Sequence, residues 1–113
     1  MTREELHAAA LALPSAVLDI KWGDDPCYCV AGKMFCATDA SYRSLSFKAT
    51  DIAFEALVET GRATPAKYAA RAKWVTLSDL SAQDPSEVAD WIRTAHGLVA
   101  AKLTHKQRAE IGL

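Results

Sequence analysis

Cys27-Tyr28-Cys29-Val30-Ala31-Gly32-Lys33-Met34-Phe35-Cys36-Ala37-Thr38 is the stretch on which the fold turns. Two apolar runs, 27–31 and 34–38, flank Gly32-Lys33, a glycine-first pair suited to a type II′ turn, so they read as the strands of a β-hairpin. Upstream, 17–22 alternates, with Leu18, Ile20 and Trp22 on one face and Val17, Asp19 and Lys21 on the other. Gly23-Asp24-Asp25-Pro26 then turns the chain. Downstream, 43–48 supplies a fourth strand and Trp74-Val75-Thr76-Leu77, aromatic and β-branched, a fifth.

Helices frame these strands. Thr2 and Glu5 form a capping-box pattern ahead of Leu6, Ala9, Ala10 and Leu13, and Pro14 ends that helix. Asp51 opens a second helix, which Gly61 stops, and a helical turn is expected around Pro65 and Tyr68. Pro85 favours entry to a last helix, in which Val88, Trp91, Ile92, Ala95, Leu98, Val99 and Leu103 recur at three and four residues as one apolar stripe. The order α-β-β-β-β-α-β-α predicts an α+β fold: an antiparallel sheet of about five strands with helices packed on one face.

With 113 residues, 50% of them apolar and no linker or repeat, residues 1–113 read as one domain with its own core. The 24% charged residues are ordinary for a soluble protein. The apolar stretch 8–13 is too short for a signal core or a membrane span, so a cytoplasmic location without membrane contact is expected. Net charge is −1, but residues 1–60 carry −4 and residues 61–113 carry +3. Between Thr60 and Ser78 stand Arg62, Lys67, Arg71 and Lys73 with no acid among them.

Three cysteines are an odd number and do not make the framework of a small secreted domain; they read as reduced thiols. A loop at Gly32-Lys33 predicts Cys29 directly opposite Cys36, with Cys27 on the same face. Small apolar packing suits them better than a metal site, which lacks a fourth ligand at zinc spacing. His7, His96 and His105 are spread along the chain and form no metal triad. Asp24 and Asp25 suit a turn beside glycine and proline better than acid–base chemistry. Elsewhere only Glu4 and Glu5 lie close together on a helix, and no ridge of hard oxygen ligands for iron emerges. There is no nucleophile elbow, P-loop, zinc-knuckle pair or dinucleotide fingerprint. The expectation is a non-enzymatic monomer with no cofactor and no metal.

The landmarks Lys21-Trp22-Gly23, Gly32-Lys33-Met34-Phe35, Leu45-Ser46-Phe47-Lys48, Pro65 with Tyr68, and Trp74-Val75 stand in an order that resembles the MmcQ/YjbR family. The resemblance runs from Leu13-Pro14 to Leu98-Val99 and on to Lys102-Leu103. It implies a CyaY-like α+β sandwich whose β-hairpins have been compared to a double wing for DNA. Trp22, Met34, Phe35, Phe47, Tyr68, Trp74 and Trp91 have the sizes that fill a small core. His96 stands where the family usually has a tyrosine after a serine, and Ala95 replaces that serine.

The functional expectation is weak, non-specific DNA contact. Lys21, Lys33, Tyr42, Arg43, Lys48, Arg62, Lys67, Arg71 and Lys73 are the candidate residues, their cations suited to phosphates. Trp22, Tyr42 and Tyr68 have faces on which bases stack. Against this stand the slightly acidic balance and Asp19, Asp24, Asp25 and Asp39 near the same strands. The alternative is a protein- or small-ligand-binding adaptor that uses the open sheet face around Lys21, Ser44, Ser46 and Lys48.

Overall fold

The Thr2 hydroxyl accepts from the Glu5 amide at 3.1 Å, and the Glu5 carboxylate accepts from the Thr2 amide at 2.8 Å. This capping box starts α1 (Arg3–Leu11) in the computed structural model, which describes all 113 residues. The chain continues through β1 (Ala16–Lys21), β2 (Asp25–Val30), β3 (Lys33–Thr38), β4 (Leu45–Lys48), α2 (Asp51–Glu59), β5 (Thr64–Pro65), β6 (Trp74–Leu77), α3 (Pro85–Ala100) and α4 (His105–Ile111). All strand pairs are antiparallel, in the order β1-β2-β3-β4-β6-β5.

The sheet has six strands where five are predicted. The addition, β5, is a two-residue edge strand containing Pro65, too short to alternate and placed where a missing amide costs no ladder bond. The last helix stops at Ala100 instead of running to Leu103. A second capping box, Thr104 with Gln107, then begins α4. No helix is long and apolar enough to cross a membrane.

The central hairpin is shifted by one residue from its predicted turn. The loop is Ala31-Gly32, both in the left-handed region at φ 50° and 76°, as a type I′ turn requires. Val30 therefore pairs with Lys33, and Phe35 is an extra residue that bulges β3. Cys29 faces Met34, and Cys36 faces Tyr28, which overturns the predicted Cys29–Cys36 opposition. Cys36 lies in the core beneath the helices, while Cys27 and Cys29 alternate to the other face; all three are buried and free. Burial pushes all three thiols up, away from the reactive thiolate.

The core is one cluster of 20 buried residues that draws on α1, α2 and α3 and on one sheet face. Phe47 stacks on Trp91 with ring centroids 5.7 Å apart, and Phe35 meets His96 edge-on at 5.2 Å. The His96 ring nitrogen Nε2 lies 2.8 Å from the Pro14 carbonyl, so the ring N–H donates there and ties α3 to the segment after α1. Tyr28 is fully buried, with its hydroxyl 3.1 Å from His7 Nδ1 and 3.3 Å from the Tyr42 hydroxyl. Trp22 and Tyr68 break the expectation that the landmark aromatics fill the core, since both are strongly exposed.

Candidate functional site

The sheet face away from the helices is floored by small residues. One row crosses it in register: Cys27, Ala37, Ser46, Thr76 and Thr64. Ser46 and Thr76 share a hydroxyl–hydroxyl bond of 2.8 Å. Small side chains between larger neighbours leave a cavity of about 640 Å³, with Met34 and Trp74 in its lining.

Two aromatics flank this cavity from opposite ends of the sheet. Trp22 comes from the β1–β2 turn and Tyr68 from the loop after β5, and both line the cavity. Trp22 is 71% exposed and Tyr68 96% exposed. Their backbones lie in the left-handed region, at φ 50° and 67°. That conformation costs a bulky residue on the order of 1–3 kcal/mol. Neither ring belongs to the core cluster.

The nine predicted contact residues separate. Lys67, Arg71 and Lys73 share the loop 66–73, and the Lys48 ammonium donates to the Ala72 carbonyl of that loop at 2.7 Å. Desolvation, followed by the nearby charge of Lys102, lowers the Lys48 pKa. Lys102 is thus a cation of this region absent from the sequence reading; only tertiary packing brings it there. Lys67 lines the cavity, its ammonium 5.4 Å from the Tyr68 ring centre. Lys21 sits opposite Asp25 at the base of the Trp22 turn. Lys33 stands at the other end of β2 and does not join the cavity.

Three others are occupied within the fold. Tyr42 packs its ring under the Arg3 guanidinium at 4.7 Å and bonds Tyr28, so it is not free to stack on a base. Arg62 forms a bidentate pair with Glu87 and lies over Trp91 at 5.1 Å. Lys73 covers the Phe54 ring at 5.0 Å. Arg43 lines a separate cavity of about 460 Å³ with Asp79 and Ser81. Three or more His, Cys, Asp or Glu side chains nowhere come together as a metal site would need.

Asp39 organises the rim. Its carboxylate accepts from the amides of Ser41 at 2.9 Å, Arg43 at 3.2 Å and Ser44 at 3.1 Å, and from both serine hydroxyls. Partial burial pushes this carboxyl up, but the hydrogen bonds outweigh it and hold the group well below the usual carboxylate range. A carboxyl held below its unfolded value stabilises the fold above the unfolded pKa; the contribution shrinks once pH drops below the ordinary carboxylate range and is lost as pH falls through the much lower folded pKa. Asp39→Asn is expected to cost about 1 kcal/mol at neutral pH and distinctly less at pH 3. Urea midpoints at both pH values check this, and an equal cost at both would contradict the ionised role.

Comparison with known proteins agrees with this architecture. The structure resembles the crystal structure of Deinococcus radiodurans protein DR2400, a DUF419 domain, with a TM-score of 0.83 and 21% identity. The alignment covers 99% of this chain and 88% of that one. No protein with a curated description matches the sequence. The profile of the YjbR family matches residues 11–98, a span that holds every strand, most of α3 and both exposed aromatics. A match over most of the length, on a sheet and helices arranged as the resemblance implied, leads to one conclusion: this chain belongs to the YjbR family.

Proposed function

We propose that this protein is a non-catalytic binder of nucleic acid that takes unpaired bases on its open sheet face, without sequence specificity. The observation that carries the reading is the pair of exposed aromatics, Trp22 and Tyr68, flanking one cavity with Lys67 in its lining. Bases present their faces for stacking only when they leave a duplex stack, so aromatic platforms select single strands. Lys67 in the cavity lining, Lys21 at the base of the Trp22 turn and Arg71 in the same loop as Lys67 supply cations for the phosphates beside such bases. A non-catalytic role accords with the raised thiols and with His7 and His96 being engaged by Tyr28 and Pro14.

The test is fluorescence anisotropy of a labelled single strand and of the same sequence as a duplex, at low and near-physiological salt. Binding is expected to favour the single strand by about tenfold or more, through stacking worth roughly 1–3 kcal/mol per base. With about three phosphates contacted, log K should fall with log salt at a slope of about −2. Absence of single-strand binding at low salt would remove the reading. The cavity volume also falls in the range of small-molecule pockets, which favours a planar small ligand as the second reading. Its affinity would be insensitive to salt.

A further inference from the structure

We infer that Asp25 sets the base preference of the open-face cavity, favouring bases with an exocyclic amino group (cytosine, adenine and guanine) over uracil and thymine. The inference rests on the single-strand reading above and refines it. A cavity that seats a base or two reads the class of base and not an ordered sequence.

Asp25 begins β2, and alternation along that strand puts its side chain on the same face as Cys27, the face that floors the cavity. It is half-buried and lines the cavity together with Trp22. Its backbone carbonyl accepts from the Cys27 thiol at 3.5 Å, but its carboxylate enters no hydrogen bond and no ion pair. Lys21 lies directly opposite in β1 and does not close on it. The other carboxylate in the lining, Asp39, is already committed. One of its oxygens accepts from Ser41 and Arg43, and the other accepts from the amide and hydroxyl of Ser44. Asp25 is thus the acidic group of the cavity whose oxygens are open to a ligand.

Donors in the cavity do not separate the bases. Every base carries an acceptor that Lys67 can serve, or that the hydroxyl hydrogen left over by the Ser46–Thr76 bond can serve. An ionised carboxylate only accepts, so it does separate them. Cytosine N4 and adenine N6 present amino hydrogens to it, and guanine presents N1 and N2 side by side. Uracil and thymine present a single N–H, at N3, between two carbonyl oxygens, and a carboxylate drawn up to that hydrogen meets both oxygens. Hydrogen bonds to a charged acceptor are about twice as strong as neutral ones, enough for a preference of about tenfold.

Short homopolymers of deoxycytidine and deoxyuridine test this, compared by fluorescence anisotropy at low salt and above neutral pH, where cytosine is uncharged. Their rings are of one size and differ in the amino or carbonyl edge. The wild type is expected to bind the cytosine strand about tenfold more tightly. Asp25→Asn keeps the shape but can turn either an oxygen or an amino group to the base, so the preference should fall to within about twofold. Loss of a negative charge tightens both strands alike, so the ratio of affinities is the readout. Asp24→Asn removes the same charge at an exposed neighbour outside the cavity lining, and should keep the ratio at about tenfold. Equal wild-type affinities for the two strands overturn the inference alone. A preference that Asp25→Asn retains, or that Asp24→Asn abolishes equally, overturns it as well. Binding of neither strand removes the single-strand reading and the inference with it.

Discussion

Replacing both Trp22 and Tyr68 by alanine is expected to weaken single-strand binding by roughly 30- to 1,000-fold, or about 2–4 kcal/mol, at constant salt. Each ring offers an exposed π-face, and base–aromatic stacking is worth roughly 1–3 kcal/mol per base. The same change should leave stability within about 1 kcal/mol, because neither ring belongs to the core cluster. Trp22→Phe, which keeps a stacking face, should retain most of the affinity. Because the loss comes from stacking, the slope of log K against log salt should be unchanged in the double variant. Lys67→Ala should show the opposite signature, a modest loss with a shallower slope. Equal affinities for wild type and the double alanine variant would show that the bases do not sit between these rings.

Phe47→Ala is expected to destabilise the protein by about 3–5 kcal/mol, the range for deleting a fully buried phenylalanine. Phe47 is 1% exposed in β4, between β3 and β6, with its ring stacked on Trp91 of α3 at an interplanar angle of 13°. Removing it leaves a cavity between β4 and α3 and frees Trp91, over which Arg62 is held by Glu87. Domains of this size hold about 5–15 kcal/mol in total, so the variant should approach its unfolding midpoint at a moderate temperature. Urea denaturation reads the loss directly. Phe47→Leu should cost much less, because it keeps most of the buried volume. A loss below about 1 kcal/mol for the alanine variant would mean that the Phe47–Trp91 stack is not a main support of the fold.

Local chemistry alone made much of the architecture legible. The Thr2–Glu5 capping box, Pro85 at the entry to α3, the α3 stripe and the apolar runs around Gly32 each act over a few residues, and all appear in the structure. Errors fell where two local solutions differ little in energy. Ala31-Gly32 and Gly32-Lys33 are both two-residue loops, and the shift between them is absorbed by the bulge at Phe35, which no period-two pattern displays. Thr104 and Gln107 gave the signal for α4, but Leu103 at helical spacing concealed the break before it.

The candidate site was legible in residue type and not in arrangement. Trp22, Tyr68 and the basic stretch could be named from the chain, but an exposed aromatic and a core aromatic are the same letter. Only packing separates Trp22 from Trp74, or removes Tyr42 from reach by placing it against Arg3 and Tyr28. Likewise, Arg62 and Lys67 are equivalent cations in sequence, and tertiary structure pairs the first with Glu87 while setting the second at the cavity. The sequence by itself determined most of the helices and strands, β5 at Pro65 and α4 excepted, and with them the α+β fold, because capping, periodicity and turn chemistry act over a few residues. The tertiary structure alone decided register, the exposure of the two rings and which charges remain unpaired. Each of those depends on contacts between residues far apart in the chain, which no local pattern encodes.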